Sequence, residues 1–165
     1  SWPVRAYYDI WLALPHCKQG MIGAGVYAVS EEGRARFEHF PDLISDDGYV
    51  RSLFQEQERC QVAGACVLVR APATLKSLVK IKTRSRLGQM QLSNEYPELK
   101  RNEKKAYSHG IRTVVQNPLR WAAGAAYLWV SLITRIIGRH KLLHLSAYQW
   151  EKDHSSRVDI AENRP

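Results

Sequence analysis

Apolar residues recur at helical spacing in some stretches of this chain and gather in short unbroken runs in others. Val4, Tyr7, Tyr8, Trp11 and Leu14 come round every three or four positions, which predicts an amphipathic helix over residues 3–14. Pro3 stands at its start and Pro15 ends it. Leu75, Leu78, Val79 and Ile81 form a second stripe after Thr74, with Lys76, Lys80, Lys82, Arg84 and Arg86 giving that helix a basic character. Between them, Val50, Leu53 and Phe54 supply the buried side of a shorter helix that opens at Ser45. Asp46 and Asp47 fall in its first turn, where negative charge meets the positive end of the helix dipole. Ser30 is placed to cap another short helix reaching Phe37.

Two runs read as strands. Met21 to Val29 is short, apolar and rich in β-branched and aromatic residues, predicting a strand over about 23–29. Residues 60–70 predict a second, closed by Pro72. Alternating helices and strands imply an α/β fold. Two strands make a marginal sheet in water, so further strands are expected from elsewhere in a longer protein. The chain also opens mid-pattern, at Trp2 and Pro3, as a fragment would.

Residues 93–105 are polar with Pro97 inside, predicting a loop that leads into a helix, and the tail over 153–165 is polar and loose. Fourteen uncharged residues, Trp121 to Thr134, lie between Arg120 and Arg135. A bilayer span needs about 20 apolar residues. A helix over 118–138 therefore suits either a buried core or a membrane, spanning it or lying at its surface, with Trp121, Tyr127 and Trp129 fit for an interface. Three regions result: 1–92, 93–152 and the tail.

The 165 residues carry 24 Lys and Arg against 16 Asp and Glu, a net charge of +8 that favours anionic partners without choosing among them. Cys17, Cys60 and Cys66 match no metal-site spacing and read as small apolar residues. His140 and His144 are four apart, but nothing nearby completes a ligand set, so no metal site is predicted from them. No nucleophile elbow and no phosphate-binding Gly-Lys-Ser/Thr loop occurs.

Three local features carry candidate chemistry. Gly23 and Gly25 allow close backbone approach to a ligand. In Ser45-Asp46-Asp47-Gly48, the carboxylates are either plain helix caps or a general base for a hydroxyl nucleophile. Lys82-Thr83-Arg84-Ser85-Arg86 is either a solvated basic face or a pair of guanidinium groups for phosphate oxygens.

The order of these features resembles the acceptor-side block of family 2 glycosyltransferases. The block runs Ile22-Gly-Ala-Gly-Val-Tyr-Ala-Val-Ser30, Gly33-Arg-Ala-Arg-Phe37, Phe40-Pro41, and Ser45-Asp-Asp-Gly-Tyr-Val-Arg51. That family places a Thr-Glu-Asp or Glu-Asp motif at a helix start, and its last Asp is the base in inverting members. The resemblance gives that role to Asp47, with Asp46 beside it in the acceptor site and Gly23 and Gly25 lining the acceptor floor. Processive members add a Gln-x-x-Arg-Trp motif roughly forty residues later, where this chain has Thr83-Arg84-Ser85-Arg86-Leu87. Arg86 matches; Thr83 and Leu87 replace the Gln and Trp that help hold a growing chain, which points to single addition rather than polymerisation.

The resemblance implies a partial GT-A fold and an inverting transfer from a nucleotide-sugar donor to a hydroxyl acceptor on a glycan or lipid. Arg84 and Arg86 would face the diphosphate, at the cytoplasmic face of a membrane. No Asp-x-Asp motif is present, so the divalent cation expected for such an enzyme would have its main ligands outside this chain. These residues alone are then expected to be inactive. The rival reading is a non-catalytic basic module for nucleic acid or an anionic membrane surface.

Overall fold

A computed structural model describes residues 1–14, 26–60, 62, 64, 68–102 and 117–145. The described residues form α1 (Trp2–Ala13), α2 (Glu31–Arg34), α3 (Asp46–Ser52), α4 (Leu75–Glu95) and α5 (Trp121–Leu142). Short 3-10 turns cover Glu56–Glu58, Pro97–Asn102 and Pro118–Arg120.

The three long helices start and stop where local chemistry says they should. Pro3 sits in the first turn of α1, where its missing N–H costs nothing. Thr74 caps α4, its Oγ1 accepting from the Ser77 amide at 3.1 Å. Pro97 forces Tyr96 out of helical geometry and ends α4 at Glu95, inside the stretch expected as a loop. α5 runs four residues beyond the expected 118–138 boundary, with Arg139, His140 and Lys141 favourably placed at its negative end.

Both α1 and α4 pack along α5. Val4, Tyr7, Leu78 and Val130, one or two from each helix, close over one another, with Tyr8, Trp11, Leu75 and Tyr127 against them. Tyr7 and Tyr127 stack at 5.1 Å between ring centroids. The Lys82 ammonium sits over the rings of Trp11, Tyr8 and Tyr7, at 4.2, 5.1 and 5.3 Å. Ring faces attract a cation, each contact being worth roughly 0.5–1 kcal/mol at partly exposed sites.

The expected α/β architecture, a partial GT-A sheet, is not what the chain forms. Among the described residues there is no strand. Residues 21–25 of the first expected strand lie outside the described set; Val26 to Val29 are irregular, with Val26 75% exposed. In the second, Gly64 turns into the left-handed region at φ +79°, which breaks an extended run, and Leu68 is 95% exposed. A strand is stable only when its N–H and C=O groups and its apolar face find partners. Neither segment pairs with a neighbouring strand among the described residues, so the apolar pattern alone produces no sheet there.

Candidate functional site

The Ser45-Asp46-Asp47 block opens α3, as its residue types suggested, but the capping differs in detail. Ser45 Oγ accepts no amide; it donates to Asp47 Oδ1 at 3.0 Å. Asp47 Oδ1 also accepts from the Gly48 amide at 2.7 Å, and Asp46 Oδ1 accepts from the Asp47 amide at 2.8 Å. Each carboxylate thus spends one oxygen on the helix start, where first-turn amides lack intrahelical partners. Asp47 Oδ2 makes no hydrogen bond among the described residues and faces no ion-pair partner there. Tyr27 lies near both. Partial burial pushes its phenol up from the ordinary value of 10.0, and the charges of Asp46 and Asp47 push it further. A phenol held protonated beside two carboxylates is a hydrogen-bond donor.

What holds this block in place is α4. The loop from Asp42 to Ser45 lies on that helix at Gly88 and Gln91. A Cβ on Gly88 would stand 2.8 Å from Ser45 Cβ and 3.0 Å from the Ser45 amide nitrogen, so only glycine permits this approach. Gln91 is 7% exposed. Its Oε1 accepts from the Ile44 amide at 3.0 Å, and its Nε2 donates to the Asp42 carbonyl at 3.4 Å. Tyr49 on α3 meets Tyr96 just past α4, edge to face at 5.1 Å. The carboxylate block and the arginine-bearing helix, far apart in sequence, therefore lie against each other.

Arg84 and Arg86 part company. Two residues on a helix are separated by about 200° of rotation, so side chains at i and i+2 do not share a face. Arg84 shares a stripe with Gly88 and Gln91, on the side of the Asp42–Ser45 loop. Arg86 turns toward α5, its stem lying 3.5 Å from the Cβ position of Gly138. There it lines a groove of about 410 Å³ with Arg135 and Arg139 of α5 and with Gln89, Ser93 and Asn94 of α4. Among the described residues no carboxylate lines that groove, and none forms an ion pair with its three arginines.

Gly23 and Gly25, read as an acceptor floor, lie outside the described residues. Among the described residues no three of His, Cys, Asp and Glu converge as metal ligands. The His140 and His144 rings are 5.5 Å apart at the end of α5, and both are exposed. Tyr27, Gln91 and the groove pairing of Arg86 with Arg135 and Arg139 were not singled out from the sequence. For Gln91 the only signal was a polar residue falling on a buried helical stripe; for the groove it was three arginines on two helices, with nothing to say that the helices pair. No family model matches this chain, and no curated protein or solved structure matches it.

Proposed function

We propose that this chain carries the acceptor side of a sugar-transferring enzyme whose donor-binding residues lie outside these 165. The observation that supports the reading is the seat of the Ser45-Asp46-Asp47 loop on α4 at Gly88, two residues past Arg86. It sets the carboxylate block against the helix that carries the second block, on the side of Arg84 rather than of Arg86.

In this reading Asp47 is the general base. An acceptor hydroxyl is a poor nucleophile at neutral pH, and Asp47 Oδ2 has the free lone pairs to take its proton. As that O–H bond breaks, the oxygen bonds to the sugar carbon from the face opposite the leaving group. The bond from carbon to the nucleotide diphosphate breaks, and its electron pair departs on the diphosphate. Asp46 and Tyr27 orient the acceptor. Arg84, on the stripe that carries Gly88, stabilises the leaving charge. The divalent cation expected for such an enzyme would have its main ligands outside these residues, and no group of three His, Cys, Asp or Glu stands ready for it among the described ones. In the longer protein, Asp47→Asn is expected to abolish transfer while leaving donor binding unchanged, measured by product formation and by titration of the nucleotide sugar. Intact turnover would remove Asp47 from this role.

A second reading is favoured by α5. One side of that helix is buried through Val130, Thr134 and Gly138; the other exposes Trp121, Leu128, Trp129, Leu132 and Ile136. α5 is long and apolar enough to cross a bilayer. Crossing would strip away its contacts with α1 and α4, whereas lying in the interface keeps them. We propose that α5 rests on an anionic membrane surface, and flotation with anionic vesicles tests it. This role is compatible with sugar transfer and does not require it.

A further inference from the structure

The groove between α4 and α5 has no part in the transfer step drawn above. Its three guanidinium groups repel one another, and no described carboxylate offsets them. Such a cluster is relieved by an anion with several oxygens and more than one charge, for which Arg is the best-suited side chain. Gln89, Ser93 and Asn94 add neutral donors on the α4 wall.

The position of the groove narrows the ligand. At about 100° per residue, Arg135 and Arg139 fall on the same side of α5 as Leu128 and Leu132, one or two turns nearer its C-terminus. Arg135 directly precedes Ile136, which is 58% exposed. Met90 and Leu142 give the groove an apolar portion as well. An exposed apolar stripe beside a basic groove matches the boundary between acyl chains and headgroups, where Arg stems lie along apolar surface and their charged ends reach phosphate. We propose that this groove seats the phosphate of an anionic lipid headgroup, with a monoester phosphate preferred over a diester, while the α5 stripe enters the acyl boundary. The inference rests on the membrane reading of α5 and is independent of the transfer reading.

The test uses the full chain and three vesicle types: neutral phosphatidylcholine, and the same lipid with phosphatidylserine or with phosphatidic acid at matched surface charge. The chain is expected to float best with phosphatidic acid. Arg86→Gln and Arg139→Gln are each expected to weaken that binding by about tenfold, as loss of one charge-assisted contact should. Arg70→Gln, outside the groove, should weaken it far less. Trp129→Ala should lose vesicle binding yet keep the binding of inorganic pyrophosphate measured by calorimetry.

Equal flotation with both anionic lipids, unchanged by the groove variants, would overturn the headgroup seat and keep the membrane reading. No flotation with any vesicle would overturn both. Pyrophosphate binding that Arg139→Gln abolishes would, in that case, assign the groove to a soluble phosphate instead. Concentration-dependent dimerisation in place of vesicle binding would give the stripe to a second copy of the chain and also overturn the proposal.

Discussion

The two halves of α4 are held by different physics. Its first half is held by apolar contact: Leu75 and Leu78 join Val4, Tyr7 and Val130 in a three-helix cluster, and Leu78 is fully buried. Its second half buries Leu87 as fully, but adds fit and polar bonds: Gly88 admits the Ser45 backbone and Gln91 ties down Asp42 and Ile44. Burial of apolar surface is non-directional and tolerates repacking. A glycine contact and an amide clamp are directional and tolerate little. The half that carries the candidate chemistry is thus the half whose geometry is most tightly specified.

Removing the apolar contact should have the largest effect. Leu78→Ala leaves a cavity between all three long helices, and a loss of about 2–5 kcal/mol is expected in urea unfolding followed by circular dichroism. A loss under 1 kcal/mol would mean that the three helices are not held mainly by this cluster.

The directional half is sharpened by comparing two glycines. Gly88→Ala pushes a Cβ into the Ser45 backbone, which cannot yield as a flexible side chain would. Overpacking of about 1–3 kcal/mol should exceed the roughly 1 kcal/mol that alanine gains over glycine in a helix. Gly138→Ala meets only ordinary contacts at 3.5 Å and beyond, so the same substitution there should stabilise the chain slightly. Thermal midpoints moving in opposite directions would support the distinction; midpoints moving together would erase it.

Gln91→Leu keeps the bulk of the side chain but deprives the Ile44 amide of its acceptor. About 1–3 kcal/mol is expected, with faster hydrogen exchange at Ile44 while the amides near Leu78 stay protected. Uniform loss of protection along α4 would mean that the two halves unfold as one.

The smallest effect concerns the exposed pair Arg36–Glu58. The Arg36 guanidinium and the Gln55 amide hold the Glu58 carboxyl down at about 2, from an ordinary value of 4.5. A carboxyl with a depressed folded pKa contributes fully above its unfolded value and loses that contribution as pH falls through the folded one. Glu58→Gln should therefore flatten a slight decline in stability between about pH 4.5 and about pH 2, and change nothing near neutrality.

The long helices were legible because their information is local. A stripe such as Val4, Tyr7, Trp11 and Leu14, or a cap such as Thr74, is written within a few residues of where it acts. The strands were misjudged for the opposite reason. An apolar run like Cys60 to Arg70 looks the same whether or not a neighbouring strand exists, and pairing is a property of the neighbour. The site was half legible. Asp46 and Asp47 stand at a helix start as expected, but the clamp comes from Gln91, 47 residues from Ile44. Arg84 and Arg86 were read as one pair. Helical rotation sends one toward the loop and the other toward α5, which a spacing of two residues already implies.

The contact between Ser45 and Gly88 has an evolutionary consequence. Because a Cβ at one position would overlap the Cβ of the other, neither residue can change in volume without reference to its partner. Descendants of this sequence should show epistasis between the two sites. Ser45→Gly would remove the nearest overlap but leave the Ser45 amide nitrogen at 3.0 Å, so it should lower the cost of a larger residue at 88 without abolishing it.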